Sequence, residues 1–112
     1  MEKINLRFRE VDRNIFNFIK NGTKTVETRA GTVKFRDIKA GDILVCVCGE
    51  DKLEKVIKKA TIFKTIPELL KHYDVKSIMP SLSTAEEAIK QWYSFPGYKE
   101  KIEEFGLIAF EI

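Results

Sequence analysis

The sequence predicts an α+β domain with a mainly antiparallel sheet and flanking helices. Three observations carry that prediction. Stretches rich in β-branched and aromatic residues, such as Ile43-Leu44-Val45-Cys46-Val47-Cys48, sit between polar turns. Two stretches space their apolar residues at steps of three and four, the mark of amphipathic helices. The order of strands and helices has no regular β-α-β rhythm, which argues against a parallel doubly wound sheet. The chain has 112 residues, a length that suits one domain, 1–112, with a single modest core. Hydrophobic residues make up 44%, enough to fold rather than remain disordered.

Taken in order, Asn5–Arg9 alternates and reads as the first strand. Asp12 is placed to cap a helix, with Val11 before it able to staple onto Phe16. Ile15, Phe16, Phe18 and Ile19 form that helix's apolar face. Asn21-Gly22 ends it, the glycine supplying a left-handed residue. Gly22–Arg29 then opens a strand, and Thr32–Lys39 is a connection carrying Lys34, Arg36 and Lys39. Gly41-Asp42 turns the chain into Ile43–Cys48, six consecutive apolar residues expected to be buried on both faces. After the polar turn Gly49–Lys52, Lys55–Thr65 reads as one long strand pairing with it as a hairpin.

Thr65 and Glu68 form a capping box that opens a helix through Leu69, Leu70 and Tyr73. Ser83 and Glu86 read as a second box. The helix after it carries Ala85, Ala88, Ile89, Trp92 and Tyr93 as one stripe. On such a stripe Trp92 belongs to the core rather than to a base-stacking surface. Phe95-Pro96-Gly97 breaks that helix, a short one follows through Tyr98, Ile102 and Phe105, and Leu107–Ile112 closes the chain as a strand.

The balance of 20 basic against 17 acidic side chains, net +3, permits an anionic partner without requiring one. The N-terminus begins with charges at Glu2 and Lys3, and no apolar run approaches a membrane span, so a cytoplasmic chain with no membrane partner is expected. It is expected to act as a monomer. One glutamine and four asparagines lean towards a heat-adapted source. Cys46 and Cys48 share a strand face about 6.6 Å apart, poor spacing for a disulfide, and one histidine gives no Cys/His metal set. Free thiols, no metal and no cofactor are expected, for there is also no P-loop or dinucleotide fingerprint. His72 lies on the helix after Thr65 and reads as a surface or half-buried structural residue.

Gly22-Thr23-Lys24-Thr25-Val26-Glu27-Thr28-Arg29 holds the candidate site. In a strand Thr25, Glu27 and Arg29 project to one side, and a turn after Gly22 aims Lys24 the same way. Two cations and a carboxylate then converge from one element, a set suited to an anionic, hydrogen-bonding ligand.

The pattern Gly-x-Lys-x-x-Glu-x-Arg over residues 22–29 resembles the signature of the ASCH family, named for homology to an activating signal cointegrator. Ile38-Lys39-Ala40-Gly41-Asp42-Ile43, Tyr93-Ser94-Phe95-Pro96-Gly97-Tyr98 and Gly106-Leu107-Ile108-Ala109 extend the resemblance in the family's order over nearly the whole chain. It implies a PUA-like fold, a small β-barrel with flanking helices and a cleft that takes RNA or nucleotides. On that reading Lys24 and Arg29 meet phosphate, Lys34 adds a further contact, and Glu27 either accepts from an exocyclic amine or ribose hydroxyl or holds Arg29 in place. Tyr98 offers a stacking face. The alternative is a hydrolase in which Lys24 and Glu27 are the catalytic pair. One branch of the resemblance deacetylates acetylcytidine with the motif lysine, a threonine and a later carboxylate. This chain has Glu27 at the threonine's place, Thr25 is not a positional substitute, and Val75–Thr84 contains no acid. A ribonuclease activity is associated with other members.

Overall fold

The computed structural model describes residues 2–112. It opens with strand β1 (Lys3–Phe8), a 3-10 turn (Glu10–Asp12) and helix α1 (Arg13–Lys20). Strand β2 (Val26–Ala30), the short helix α2 (Val33–Arg36) and strands β3 (Ile43–Cys48), β4 (Asp51–Val56) and β5 (Lys59–Phe63) follow. Four helices, α3 (Ile66–His72), α4 (Val75–Ile78), α5 (Ala85–Ser94) and α6 (Tyr98–Phe105), lead to the closing strand β6 (Leu107–Glu111).

The strands form two three-stranded sheets, in the orders β1-β3-β4 and β2-β6-β5. Three of the pairings are antiparallel, and β1 lies parallel to β3 with Lys3 opposite Ile43 and Phe8 opposite Cys48. The mainly antiparallel α+β class is therefore as expected. A closed barrel is not formed: among the described residues no ladder joins the outer strands β1 and β2. The two sheets meet instead where the chain changes partner. Ile57 N–H donates to Asp42 of the first sheet's turn at 2.8 Å, and the next N–H, Lys58, donates to Glu111 of the second sheet at 2.7 Å. The expected single strand Lys55–Thr65 is thus two strands in two sheets. Its first half begins earlier than expected, at Asp51, because β4 is an outer strand whose polar residues face solvent. Gly49-Glu50 is left as the hairpin loop, with Cys48 opposite Asp51 and Gly49 at φ +58°.

Apolar residues gather into two clusters. Leu6, Phe16, Ile19, Leu44, Cys46, Cys48 and Ile57 make the first, and Val26, Leu69, Ile78, Ala88, Trp92 and Ile102 the second. Strand β6 serves both, since alternate residues face opposite ways: Ile108 and Phe110 enter the first cluster, Leu107 and Ala109 the second. Each fully buried large side chain contributes about 1.5–3 kcal/mol. Both cysteines are free and buried, and burial pushes the Cys46 thiol up to about 11. Trp92 is a core residue, 1% exposed, with its indole N–H donating to Thr28 Oγ1 at 3.1 Å. His72 is exposed and lies against the Phe63 ring.

Two helix starts differ from expectation. Asp12 does not cap α1: its carboxylate accepts from Arg9 at 2.9 Å, and Val11 is 78% exposed rather than stapled to Phe16. The 3-10 turn places Asp12 at φ −105°, ψ 15°, away from the extended geometry that a cap needs. The capping box of α5 forms one residue later than Ser83–Glu86. Thr84 Oγ1 accepts from Glu87 N at 3.2 Å and Glu87 Oε1 accepts from Thr84 N at 3.0 Å. At α3 the Thr65 hydroxyl accepts from Glu68 N as expected.

Gly106 turns α6 into β6 at φ +70°, and a Cβ there would lie 2.3 Å from the Phe63 carbonyl oxygen. Neither the backbone angle nor the contact accommodates a methyl group. Gly106→Ala is expected to lower stability by more than about 2 kcal/mol, read from urea unfolding midpoints. A loss below about 0.5 kcal/mol would show that the α6–β6 junction shifts freely.

Candidate functional site

The site lies where the two sheets fail to join. Its floor is β2 with the residues just before it, and three backbone hydrogen bonds fix that stretch. Gly22, at φ +82°, releases the chain from α1, and Lys24 N–H donates back to Phe18 at 3.0 Å. Thr25 N–H donates to the Ser77 carbonyl of α4 at 3.0 Å, and the Thr25 carbonyl accepts from Ile112 N–H at 2.9 Å. The strand itself starts at Val26, later than the sequence suggests, so Lys24 belongs to the pinned approach and not to the ladder. Thr25 is exposed and takes no part in the cluster.

Lys24, Glu27 and Arg29 converge as expected. Glu27 Oε1 is 3.6 Å from Lys24 Nζ and 3.1 Å from Arg29 Nη1, and it accepts from Thr28 N–H at 2.8 Å. Lys24 Nζ also donates to the Ile78 carbonyl at the end of α4. Arg29 Nη1 donates to the Thr28 carbonyl at 2.9 Å, and its guanidinium lies 5.8 Å from the Phe8 ring centre. Lys24 is 5% and Glu27 3% exposed. The lysine is therefore deeper than a cation presented at a rim. Glu27 Oε2 is buried and has no hydrogen-bond partner among the described residues. A buried carboxylate oxygen left open is costly unless something meets it.

Burial and charge compete on this cluster. Burial is the largest influence on Lys24 and pushes its ammonium below the usual lysine range; Glu27 pulls it back and Arg29 adds to the fall. Burial also pushes Glu27 upward, but Lys24, Arg29 and the Thr28 N–H together outweigh it and hold the carboxyl below its ordinary value. Glu27 is thus the fixed anion and Lys24 the group whose proton is loosened.

Above this floor opens a cleft of about 660 Å³. Arg7, Phe8 and Arg9 from the end of β1 form one wall, with Ile15 and Phe18 of α1 beside them. Met79–Leu82 forms the opposite wall, and Phe95, Pro96 and Tyr98 at the α5–α6 junction complete the rim. Tyr98 joins Lys24, Glu27 and Arg29 in this cleft, half-buried and edge-on to Phe95. Lys34 does not line it. Its side chain is exposed over the Phe35 ring and borders a smaller adjoining hollow. Arg7, Arg9 and Phe8 were not singled out from the sequence; the alternation of β1 hinted at a strand, but only the fold brings its end to β2. Among the described residues no group of three or more His, Cys, Asp or Glu side chains is placed to hold a metal, and no helix is long and apolar enough to cross a membrane.

The shifts fix a pH dependence. Glu27 has a folded pKa below its ordinary 4.5, so its contribution to stability is present above that value and is lost as pH falls through the folded one. Lys24 has a folded pKa below 10.5, so the unfolded chain binds more protons in the interval between, and stability again rises with pH there. A carbon-13 NMR titration should place the Glu27 carboxyl midpoint below 4.5 and the Lys24 ammonium midpoint below 10.5. A Glu27 midpoint above 4.5 would mean that burial outweighs the flanking cations.

Two solved structures share this architecture along the whole chain. The crystal structure of hypothetical protein PH0355 matches 99% of this chain and 96% of its own, with a TM-score of 0.82 and 26% identity. The solution NMR structure of protein PF0455 from Pyrococcus furiosus matches 97% of this chain and 94% of its own, with a TM-score of 0.75 and 25% identity. Both neighbours are from thermophilic archaea. No protein-family model and no curated protein matches the chain.

Proposed function

We propose that the chain is an RNA- or nucleotide-binding domain of the ASCH type, with a PUA-like fold, that seats a nucleoside in the cleft above Glu27. The observation that carries this reading is the Lys24–Glu27–Arg29 cluster, with Glu27 Oε2 buried and unpartnered among the described residues, lining a cleft walled by aromatic and basic side chains. An ionised carboxylate oxygen accepts only from donors, and the exocyclic amine of a base or a ribose hydroxyl supplies one. Phe8, Phe18, Phe95 and Tyr98 give apolar and aromatic surface for a base, and Arg7 and Arg29 give phosphate contacts at the mouth. A volume of about 660 Å³ falls within the range of pockets that hold small organic ligands. The composition and the ordered motifs fit a heat-adapted member of that family.

A second reading, a hydrolase acting on RNA or a modified nucleoside, is favoured by one feature. Lys24 is a buried amine with a loosened proton next to a fixed carboxylate, the combination that general acid–base chemistry uses. The Met79–Leu82 wall brings no carboxylate into the cleft, so the acid–base groups that line it are Lys24, Glu27 and, paired with Arg9, Asp12.

Calorimetric titration with nucleosides and mononucleotides, alongside product analysis by chromatography, separates the readings. For a binding site, Arg29→Ala is expected to weaken nucleotide binding by about 1–3 kcal/mol, as for a lost charge-assisted bond, and the parent protein should show no turnover. Glu27→Gln keeps an acceptor oxygen but removes the charge; it should weaken ligands with exocyclic amines more than uridine compounds. For an enzyme, Lys24→Met should cost about a hundredfold to ten-thousandfold in rate with little change in affinity. No binding of any nucleoside or nucleotide, and no turnover, would sink both readings.

A further inference from the structure

Beside the main cleft lies a hollow of about 320 Å³ bounded by Asn5, Leu6, Arg7, Arg29, Lys34 and Phe35. Three of these six side chains are cations and none is an acid. Arg7 and Lys34 are exposed and pair with no carboxylate among the described residues. Arg29 spends only Nη1 on Glu27 and Thr28, leaving Nε and Nη2 without partners among the described residues. Arg7 and Arg29 border both spaces, so the hollow and the cleft meet at these two side chains.

Both spaces are lined by cations, but only the main cleft also holds carboxylates, Glu27 and Asp12. Glu27, held as an anion at the cleft floor, repels a phosphate that tries to enter and favours a hydrogen-bond donor. The hollow holds no acid, and has two guanidinium groups suited to paired phosphate oxygens and an asparagine amide to add a donor. A ligand with a donor-bearing base at one end and phosphate at the other is therefore sorted by charge into one orientation. The hollow is also larger than a bare anion needs, with room for a sugar beside the phosphate.

We propose that this hollow between β1 and α2 is a sugar-phosphate subsite, and that the site's ligand is a single-stranded oligonucleotide of two or more units. One nucleoside occupies the main cleft, and the backbone passes over Arg7 and Arg29 so that the next phosphate lies beside Lys34. The proposal rests on the nucleotide-binding reading above and adds to it the ligand's length, its direction of exit, and a role for Asn5.

The test uses the full chain and fluorescence anisotropy with labelled RNA pentanucleotides, competed by a nucleoside, a 5′-mononucleotide and a dinucleotide. The dinucleotide should compete at least about tenfold better than the mononucleotide. Lys34→Ala and Arg7→Ala, both at exposed positions, should each weaken the pentanucleotide about fivefold to twentyfold. Each should also flatten the slope of log affinity against log salt by roughly 0.7, the share of one phosphate on a single strand. Competition by the unphosphorylated nucleoside should shift by less than the pentanucleotide does. A mononucleotide that competes as well as the dinucleotide, or pentanucleotide binding that both variants leave unchanged in affinity and slope, overturns the subsite while leaving the nucleoside cleft standing. Absence of binding by every probe overturns the subsite together with the reading on which it rests.

Discussion

The cluster of buried Lys24 and Glu27 with half-buried Arg29 is the constraint around which the site is assembled. Removing ions from water costs several kcal/mol each, and mutual attraction offsets that only when geometry and hydrogen bonds are good. Here the offset comes from many elements at once. The backbone of β2 supplies the Thr28 N–H, the end of α4 supplies the Ile78 carbonyl, and β1 supplies the Phe8 ring beside Arg29. A change at any of these alters the balance at Glu27. The cluster therefore couples the position of α4 and the edge of β1 to the charge state of the cleft floor. It also explains why a strand edge stays unpaired: with Arg29 and Phe8 between β1 and β2, the two outer strands have a site where a barrel would have a ladder.

Much of this was legible in the sequence wherever the signal was local. The Gly22–Arg29 stretch announced the convergence of Lys24, Glu27 and Arg29, because strand periodicity and a turn glycine act within a few residues. The helix faces held for Phe16, Ile19, Ala88 and Trp92 for the same reason. Ile43–Cys48 was visible as a strand to the residue, since a continuous apolar run between turns has few alternatives.

What escaped depended on distant partners. Nothing local marks Ile57-Lys58 as the point where the chain leaves one sheet for the other; that is decided by Asp42 and Glu111 on either side. Arg7 and Phe8 join the cleft only because β1 pairs in parallel with β3, a long-range choice. The α5 box was ambiguous by one residue because Ser83 and Thr84 each have a glutamate three residues on. Lys34 was grouped with the motif by closeness in sequence, while α2 carries it to the far side of Arg29.

Strand β6 has a bearing on how the molecule comes to be made. Its alternate side chains complete both apolar clusters, and it is the central strand between β2 and β5. Val26 and Glu111, which pair across the sheet, are separated by most of the sequence. A ribosome that has released everything up to α6 has therefore produced neither finished core, however good the individual helices are. Until Leu107–Glu111 emerges, β2 and β5 have no strand between them, and the approach to the cleft floor lacks the Ile112 amide that holds Thr25. Assembly of this domain accordingly waits for β6 to emerge, with long-range pairing as its slow step.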